Sequence, residues 1–179
     1  MLELVGDASS VEEVDEAGGF AALYRQRYRD VYRYALLMLR SAEDAEDVTA
    51  DAFQRAYAAW HSGHGPEGQA LPWLLLITRR LVIDKTRRRR LLSWVPLASV
   101  QPTHEPAVEA ETGRSEFWIW FERFARQLPA RQREVLILRY QRDLDDAAIG
   151  EILGLSTSGV RSLVGRACAT LRRNPEIWR

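Results

Sequence analysis

Residues 145–173 read DDAAIGEILGLSTSGVRSLVGRACATLRR, and the punctuation of this run decides the fold. Asp145 stands just before Ala148, Ile149 and Ile152, where a short side-chain oxygen caps the free N–H groups of a first helical turn. Gly154 turns the chain, Leu155 plugs the turn, and Ser156 caps a second helix with Val160, Val164, Ala167 and Leu171 on one face. A short helix, a glycine turn and a longer capped helix make a helix-turn-helix pattern, with a plain αα-hairpin as the alternative. In a helix-turn-helix the second helix enters the major groove, so its outer positions must be polar and partly basic. Here they are Thr157, Ser158, Gly159, Arg161, Ser162, Gly165 and Arg166. Arg161 and Arg166, with Ser158 and Ser162, can reach base edges or phosphates, while Arg172 and Arg173 suit the backbone or the helix dipole. Gly159 and Gly165 each weaken the helix by about 1 kcal/mol relative to alanine, a cost that close approach to DNA would tolerate.

Upstream, the same helical period continues. Ser115 is expected to cap a helix bearing Phe117, Trp118, Trp120, Phe121 and Phe124, and Leu128-Pro129 to open another with Val135 and Leu138 inward. Before these lies LSWVPLASVQPTHEPAVEAETG (92–113), with three prolines, three acids and no sustained period. It reads as a flexible linker, and a structureless stretch of that length argues for two domains. On its other side Phe20, Tyr24, Val31, Ala35 and Met38 form a helical stripe, Ser41 caps a second helix, and Ala45, Val48, Ala52, Ala56 and Trp60 recur at helical steps. HSGHGPEGQA (61–70) is a loop, and Pro72 suits the first turn of a third helix that starts WLLLI and ends in arginines. No segment has convincing β alternation. The fold class is therefore all-α, two small helical domains joined by a flexible linker. The expected division is an acidic extension 1–19, a helical bundle 20–91, a linker 92–114, a helix-turn-helix domain 115–173 and a tail 174–179.

The 25 basic and 25 acidic side chains cancel, but they are sorted into blocks. Residues 1–19 carry six acids and no base, and 43–51 hold Glu43, Asp44, Glu46, Asp47 and Asp51. By contrast 79–90 (RRLVIDKTRRRR) carry seven bases and one acid. Segregated charge suggests surfaces for different partners. Arg79, Arg80, Lys85, Arg87, Arg88, Arg89 and Arg90 can neutralise phosphates, and Trp73 on the same helix offers an aromatic platform for an unpaired base, unless it is core. A lone cysteine, Cys168, excludes an internal disulfide framework and suits a reducing compartment. The acidic N-terminus is the opposite of a secretory leader and no apolar run there would span a bilayer, so a cytoplasmic protein without membrane insertion is expected.

Four runs together carry a resemblance: DAEDVTADAFQRAY (44–57), PWLLLITRRLVIDKTRRRR (72–90), LPARQREVLILRY (128–140) and IGEILGLSTSGVRSLVGRACATLRR (149–173). In that order and spacing the chain resembles the extracytoplasmic-function sigma factors of bacterial RNA polymerase. The resemblance implies a protein that binds core RNA polymerase and directs it to promoter DNA, controlled by an anti-sigma factor. It implies polymerase contacts at Asp44, Asp47 and Asp51. It implies minus-ten contacts at Trp73, Arg79, Arg80, Lys85, Arg87 and Arg88, with loop 61–70 capturing a flipped base. For the minus-thirty-five element it implies Ser158, Arg161, Ser162 and Arg166. The linker would thread toward the polymerase active-site channel. The sequence departs from the family pattern at Ala50-Asp51, where Gln-Glu is usual, and at Arg80, where Asn is usual. Ala70, Leu71 and Pro72 replace the usual aromatic and base, Gly159 a Thr, and Leu163 an Arg.

Two rival readings compete. An enzyme or zinc protein would have to use His61, His64 and Glu67, but the histidines sit in a glycine-rich loop and no Ser-His-Asp set or phosphate loop is evident. No catalytic residue, cofactor or metal is therefore expected. The other rival is a stand-alone helix-turn-helix regulator with an N-terminal sensing domain. It needs an apolar ligand pocket where the sigma reading needs an acidic face and a basic helix.

Overall fold

The computed structural model describes residues 8–92, 123–125, 127–142 and 144–173. Among them every regular element is helical: α1 (Ala8–Leu39), α2 (Ala42–His61), α3 (Ala70–Leu92), α4 (Ala130–Arg142), α5 (Asp146–Leu153) and α6 (Thr157–Arg172). The expected linker 92–114, the helix capped by Ser115 and the tail 174–179 lie outside the described residues, apart from Leu92 and, at the end of that helix, residues 123–125 and 127. The helix expected from Phe20 starts earlier, since α1 is continuous from Ala8. Residues 8–19, expected as an acidic extension, are thus helical and continuous with the rest of α1.

Helices α1, α2 and α3 pack on one another around Val31, Tyr34, Ala35, Ala45, Val48, Ala52 and Leu74, all essentially inaccessible to solvent. Their joints follow from side-chain chemistry. Arg40, left-handed at φ 61°, reverses the chain after α1. Ser41 then caps α2 by accepting from the Asp44 amide at 3.3 Å. Thr49 and Thr78 are buried in α2 and α3, and each hydroxyl donates to the carbonyl four residues back, at 2.6 and 2.7 Å. At one end Phe20 meets Tyr57, Trp60 and Phe53 edge-on with centroids 5.1, 5.8 and 6.4 Å away. Tyr24, expected in the core stripe, is exposed beside Phe53.

The helix-turn-helix forms as its punctuation demands. Asp145 caps α5 by accepting from the Ala148 amide at 2.8 Å, and Ser156 caps α6 by accepting from the Gly159 amide at 3.2 Å. Gly154 adopts the left-handed conformation, φ 66° and ψ 43°, that glycine takes without penalty. Gly150 matters as much: the Leu155 amide bonds its carbonyl at 2.9 Å, and a Cβ there would lie 2.6 Å from the Leu155 carbonyl oxygen. The buried face of α6 is Val160, Leu163 and Ala167, with Val164 only half-buried. Leu163, at i+3 from Val160, thus takes the inward place expected for Val164.

The two helical groups touch. α1 packs against α4, and α3 against α5.

Candidate nucleic-acid interface

The acidic and basic blocks that are separate in sequence converge in space. Lys85 on α3 places Nζ 2.9 Å from Asp44 Oδ1 and 2.8 Å from Asp47 Oδ2 on α2, and Arg89 pairs with Asp44 as well. Burial works against the Lys85 charge, but hydrogen bonds to Asp47 and Asp44 outweigh it and hold the ammonium above its ordinary pKa. Asp44 is itself buried. Its carboxylate therefore organises the α2–α3 pair, which is a structural use of a residue expected on the polymerase surface. Asp47 and Asp51 remain exposed on α2.

Along α3 the remaining residues divide by depth. Arg80, Arg87 and Arg88 are exposed. Trp73 is half-buried: it packs against the core and also lines a cleft of about 610 Å³ between the loop before α3 and helix α5. Arg79 is turned inward. Its Nε donates to Glu134 Oε1 at 2.9 Å, and the fully buried Tyr34 hydroxyl donates to the same oxygen at 2.7 Å. Burial, reinforced by the Glu134 charge, drives the Tyr34 pKa well up, so the phenol stays a proton donor. This cluster joins α1, α3 and α4, and sequence periodicity offered no hint of it beyond one acid beside the apolar run VLIL.

On the other side, α6 presents Ser158, Arg161, Ser162 and Arg166 to solvent, as expected. Ser158 Oγ lies 3.0 Å from the capping Ser156 Oγ. Arg161 leans back over α5, where its Nε donates to Asp146 Oδ2 at 2.7 Å, and Arg139 of α4 binds the other oxygen of the same carboxylate. The hydrogen bond from Arg161 is the main cause of a lowered Asp146 pKa; desolvation opposes it, and the hydrogen bond and charge of Arg139 add to the lowering. Neither Asp146 nor Arg139 was singled out from sequence, because a pairing fifteen residues apart leaves no local signal. A Cβ at Gly159 would lie 3.3 Å from the capping Ser156 Oγ, so this glycine also leaves room for the cap.

A one-sided apolar α6, a left-handed glycine turn and an upstream bundle with a basic third helix are the geometry of two known sequence families. The model of Sigma-70 region 2 matches residues 23–91, and that of Sigma-70 region 4 matches residues 126–173. The chain belongs to the sigma-70 family. Its relatives place it in the extracytoplasmic-function branch. It is 27% identical over 150 residues to the ECF RNA polymerase sigma factor SigM of Bacillus subtilis, covering 84% of this chain and 91% of that one. It is 29% identical over 157 residues to SigM of Mycobacterium tuberculosis, covering 86% and 76% respectively. The fold is shared with the sigma factor RpoE of Bartonella quintana, solved in complex with the anti-sigma factor NepR, at a TM-score of 0.69, 22% identity and coverage of 89% and 96%. The region 2 match thus takes in most of α1 with α2 and α3, and the region 4 match takes in α4 and the helix-turn-helix of α5 and α6.

His61 Nε2 lies 2.7 Å from the Tyr57 hydroxyl, and among the described residues no group of three His, Cys, Asp or Glu side chains is placed to hold a metal. Cys168 is half-buried in α6. No helix among the described residues is long and apolar enough to cross a membrane.

Proposed function

We propose that this sigma factor works in the cytoplasm, joins core RNA polymerase and directs it to promoters, catalysing no reaction itself. The observation that carries this reading is the pairing of the two regions in one chain. A basic α3 closes the bundle, and a capped α6 presents Ser158, Arg161, Ser162 and Arg166 outward over an apolar underside. Residues 20–91 engage polymerase and the minus-ten element, residues 115–173 dock on the minus-thirty-five element, and residues 92–114 join them. Tethering lets each weak contact raise the effective concentration of the other.

Within region 2, Asp47 and Asp51 are the acids that meet basic groups of the polymerase, since both are exposed, Asp47 even while it pairs with Lys85, whereas Asp44 is buried between Lys85 and Arg89. Arg80, Arg87 and Arg88 neutralise phosphates along α3, and Trp73 stacks on an opened base where it borders the cleft. Arg79 and Lys85 contribute to DNA only by leaving Glu134 and the α2 acids. The Bartonella RpoE is held by an anti-sigma factor, and a protein inhibitor of that kind is assigned to this chain as well.

Run-off transcription with purified core polymerase tests the proposal directly. The chain is expected to make core enzyme start at a restricted set of promoters, and start-site choice unchanged by its addition refutes the reading. Asp47→Lys together with Asp51→Lys is expected to weaken polymerase pull-down about tenfold or more while leaving the circular dichroism melt in place. Pull-down equal to the parent would remove those two acids from the interface.

A further inference from the structure

We infer that Asp146 positions Arg161 to read a guanine in the upstream promoter element, which makes Asp146 a specificity-determining residue on the helix before the recognition helix. The inference rests on the reading of α6 as the DNA-contacting helix. It deepens that reading by naming the base and the group that selects it.

The guanidinium is a rigid fork of five N–H donors. In Arg161 the Nε–H is spent on Asp146 Oδ2 at 2.7 Å, while the side chain as a whole remains 73% exposed. A guanidinium held by Nε still offers the donors on its two terminal nitrogens. Two parallel N–H groups match the N7 and O6 acceptors of guanine in the major groove, whereas adenine presents a donor beside N7 and the pyrimidines present no such pair. An unheld arginine has many rotamers and reaches phosphate as readily as base edges, contributing affinity without sequence information.

Asp146 is itself fixed from behind. Its Oδ1 accepts from Arg139 on α4, so one carboxylate ties the three helices α4, α5 and α6 together. As the first residue of α5 it also lies where the helix dipole favours negative charge. The depressed pKa of this carboxyl agrees with a charge kept in place for Arg161 at neutral pH. Asp146 is thus a positioning residue, acting through Arg161.

The test uses holoenzyme reconstituted from core polymerase and the full chain, transcribing a template pool in which the upstream element is randomised, with transcripts counted by sequence. All templates compete for the same holoenzyme, so the ratio of bases at one position does not depend on how much of a variant is folded. The parent is expected to prefer guanine at one position by roughly tenfold or more. Arg161→Ala should flatten that position, Asp146→Ala should flatten the same one while leaving other positions ranked as before, and Asp146→Glu should recover part of the preference. The double variant should be no flatter than Arg161→Ala alone, because Asp146 acts only through the arginine. Full guanine preference in Asp146→Ala overturns the role of Asp146 while sparing Arg161. An Arg161→Ala profile identical to the parent at every position removes Arg161 from base reading, and the inference falls with it.

Discussion

Glu134 and Asp146 each hold an arginine that the sequence assigns to DNA, but Glu134 lies at the junction of α1, α3 and α4 and Asp146 at the outer edge of the helix-turn-helix. Around Glu134 the partners are the fully buried Tyr34 hydroxyl and an Arg79 side chain only 17% exposed. Around Asp146 they are Arg139 and an Arg161 that is 73% exposed. The chemistry of the two clusters is nearly the same. Their surroundings are not, and burial decides the outcome: a desolvated arginine is committed to the fold, whereas a solvated one held by a single nitrogen is oriented and still available. A basic residue on a DNA-binding helix is therefore not by itself a DNA contact.

The largest expected effect falls on the buried cluster. Glu134→Ala leaves a buried phenol without its acceptor and a largely buried guanidinium without its charge partner, and should lower stability by about 3–5 kcal/mol in urea unfolding. Glu134→Gln keeps an acceptor for Tyr34 and should cost less, about 1–3 kcal/mol. Asp146→Ala, which breaks a pair whose arginine Arg161 stands in solvent, should cost clearly less than Glu134→Ala. Equal losses for Glu134→Ala and Asp146→Ala would break the contrast.

Next in size is the turn that sets α6 against α5. A methyl group at Gly150 would press on the Leu155 carbonyl oxygen, so Gly150→Ala should cost about 1–3 kcal/mol even though alanine favours a helix. The loss should appear in the unfolding of region 4 and be accompanied by loss of minus-thirty-five recognition. A Gly150→Ala variant as stable as the parent would mean that the turn relaxes at little cost, and that α6 is aimed less rigidly than the Asp146 contact suggests.

What could be read ahead of the structure follows from the range of the interaction involved. Ser41, Asp145, Gly154 and Ser156 act within a few residues of themselves, so their caps and turn were legible, and with them the all-helical fold and the helix-turn-helix. The outward side of α6 followed from period alone, although the period put Val164 on the inner face and the packing buries Leu163 there instead. Pairings across the chain were not legible. Asp44 looked like one more acid in an exposed row until Lys85 and Arg89 closed on it, and Arg79 looked like Arg80 until Glu134, fifty-five residues away, drew it inward. Charge blocks in a sequence record composition, while the availability of each charge is set by tertiary contacts.

The smallest expected effect is also the most local, because it separates the ion pairs by the pH at which each fails. The Asp146 carboxyl is held below its ordinary pKa, chiefly by the hydrogen bond from Arg161. A depressed acid stabilises the fold above its unfolded value, near pH 4, and that contribution disappears as pH falls below it toward the lower folded value. Lys85 has the opposite sign: its pKa is raised by Asp47 and Asp44 against desolvation, so its contribution is complete below its unfolded value, about pH 10.4, and is lost as pH rises through the higher folded one. Alkali should thus loosen the Lys85 contacts at the α2–α3 pair, whereas the contacts of Asp146 with Arg161 and Arg139 give way only in acid, below the ordinary aspartate value. Carboxyl carbon shifts followed by NMR would report the Asp146 titration directly. Arg161→Ala should move that titration up toward the ordinary aspartate value, and Asp146→Asn should abolish it. If Arg161→Ala leaves the Asp146 midpoint where it was, the exposed guanidinium is not held in solution, and the difference between the two clusters reduces to burial alone.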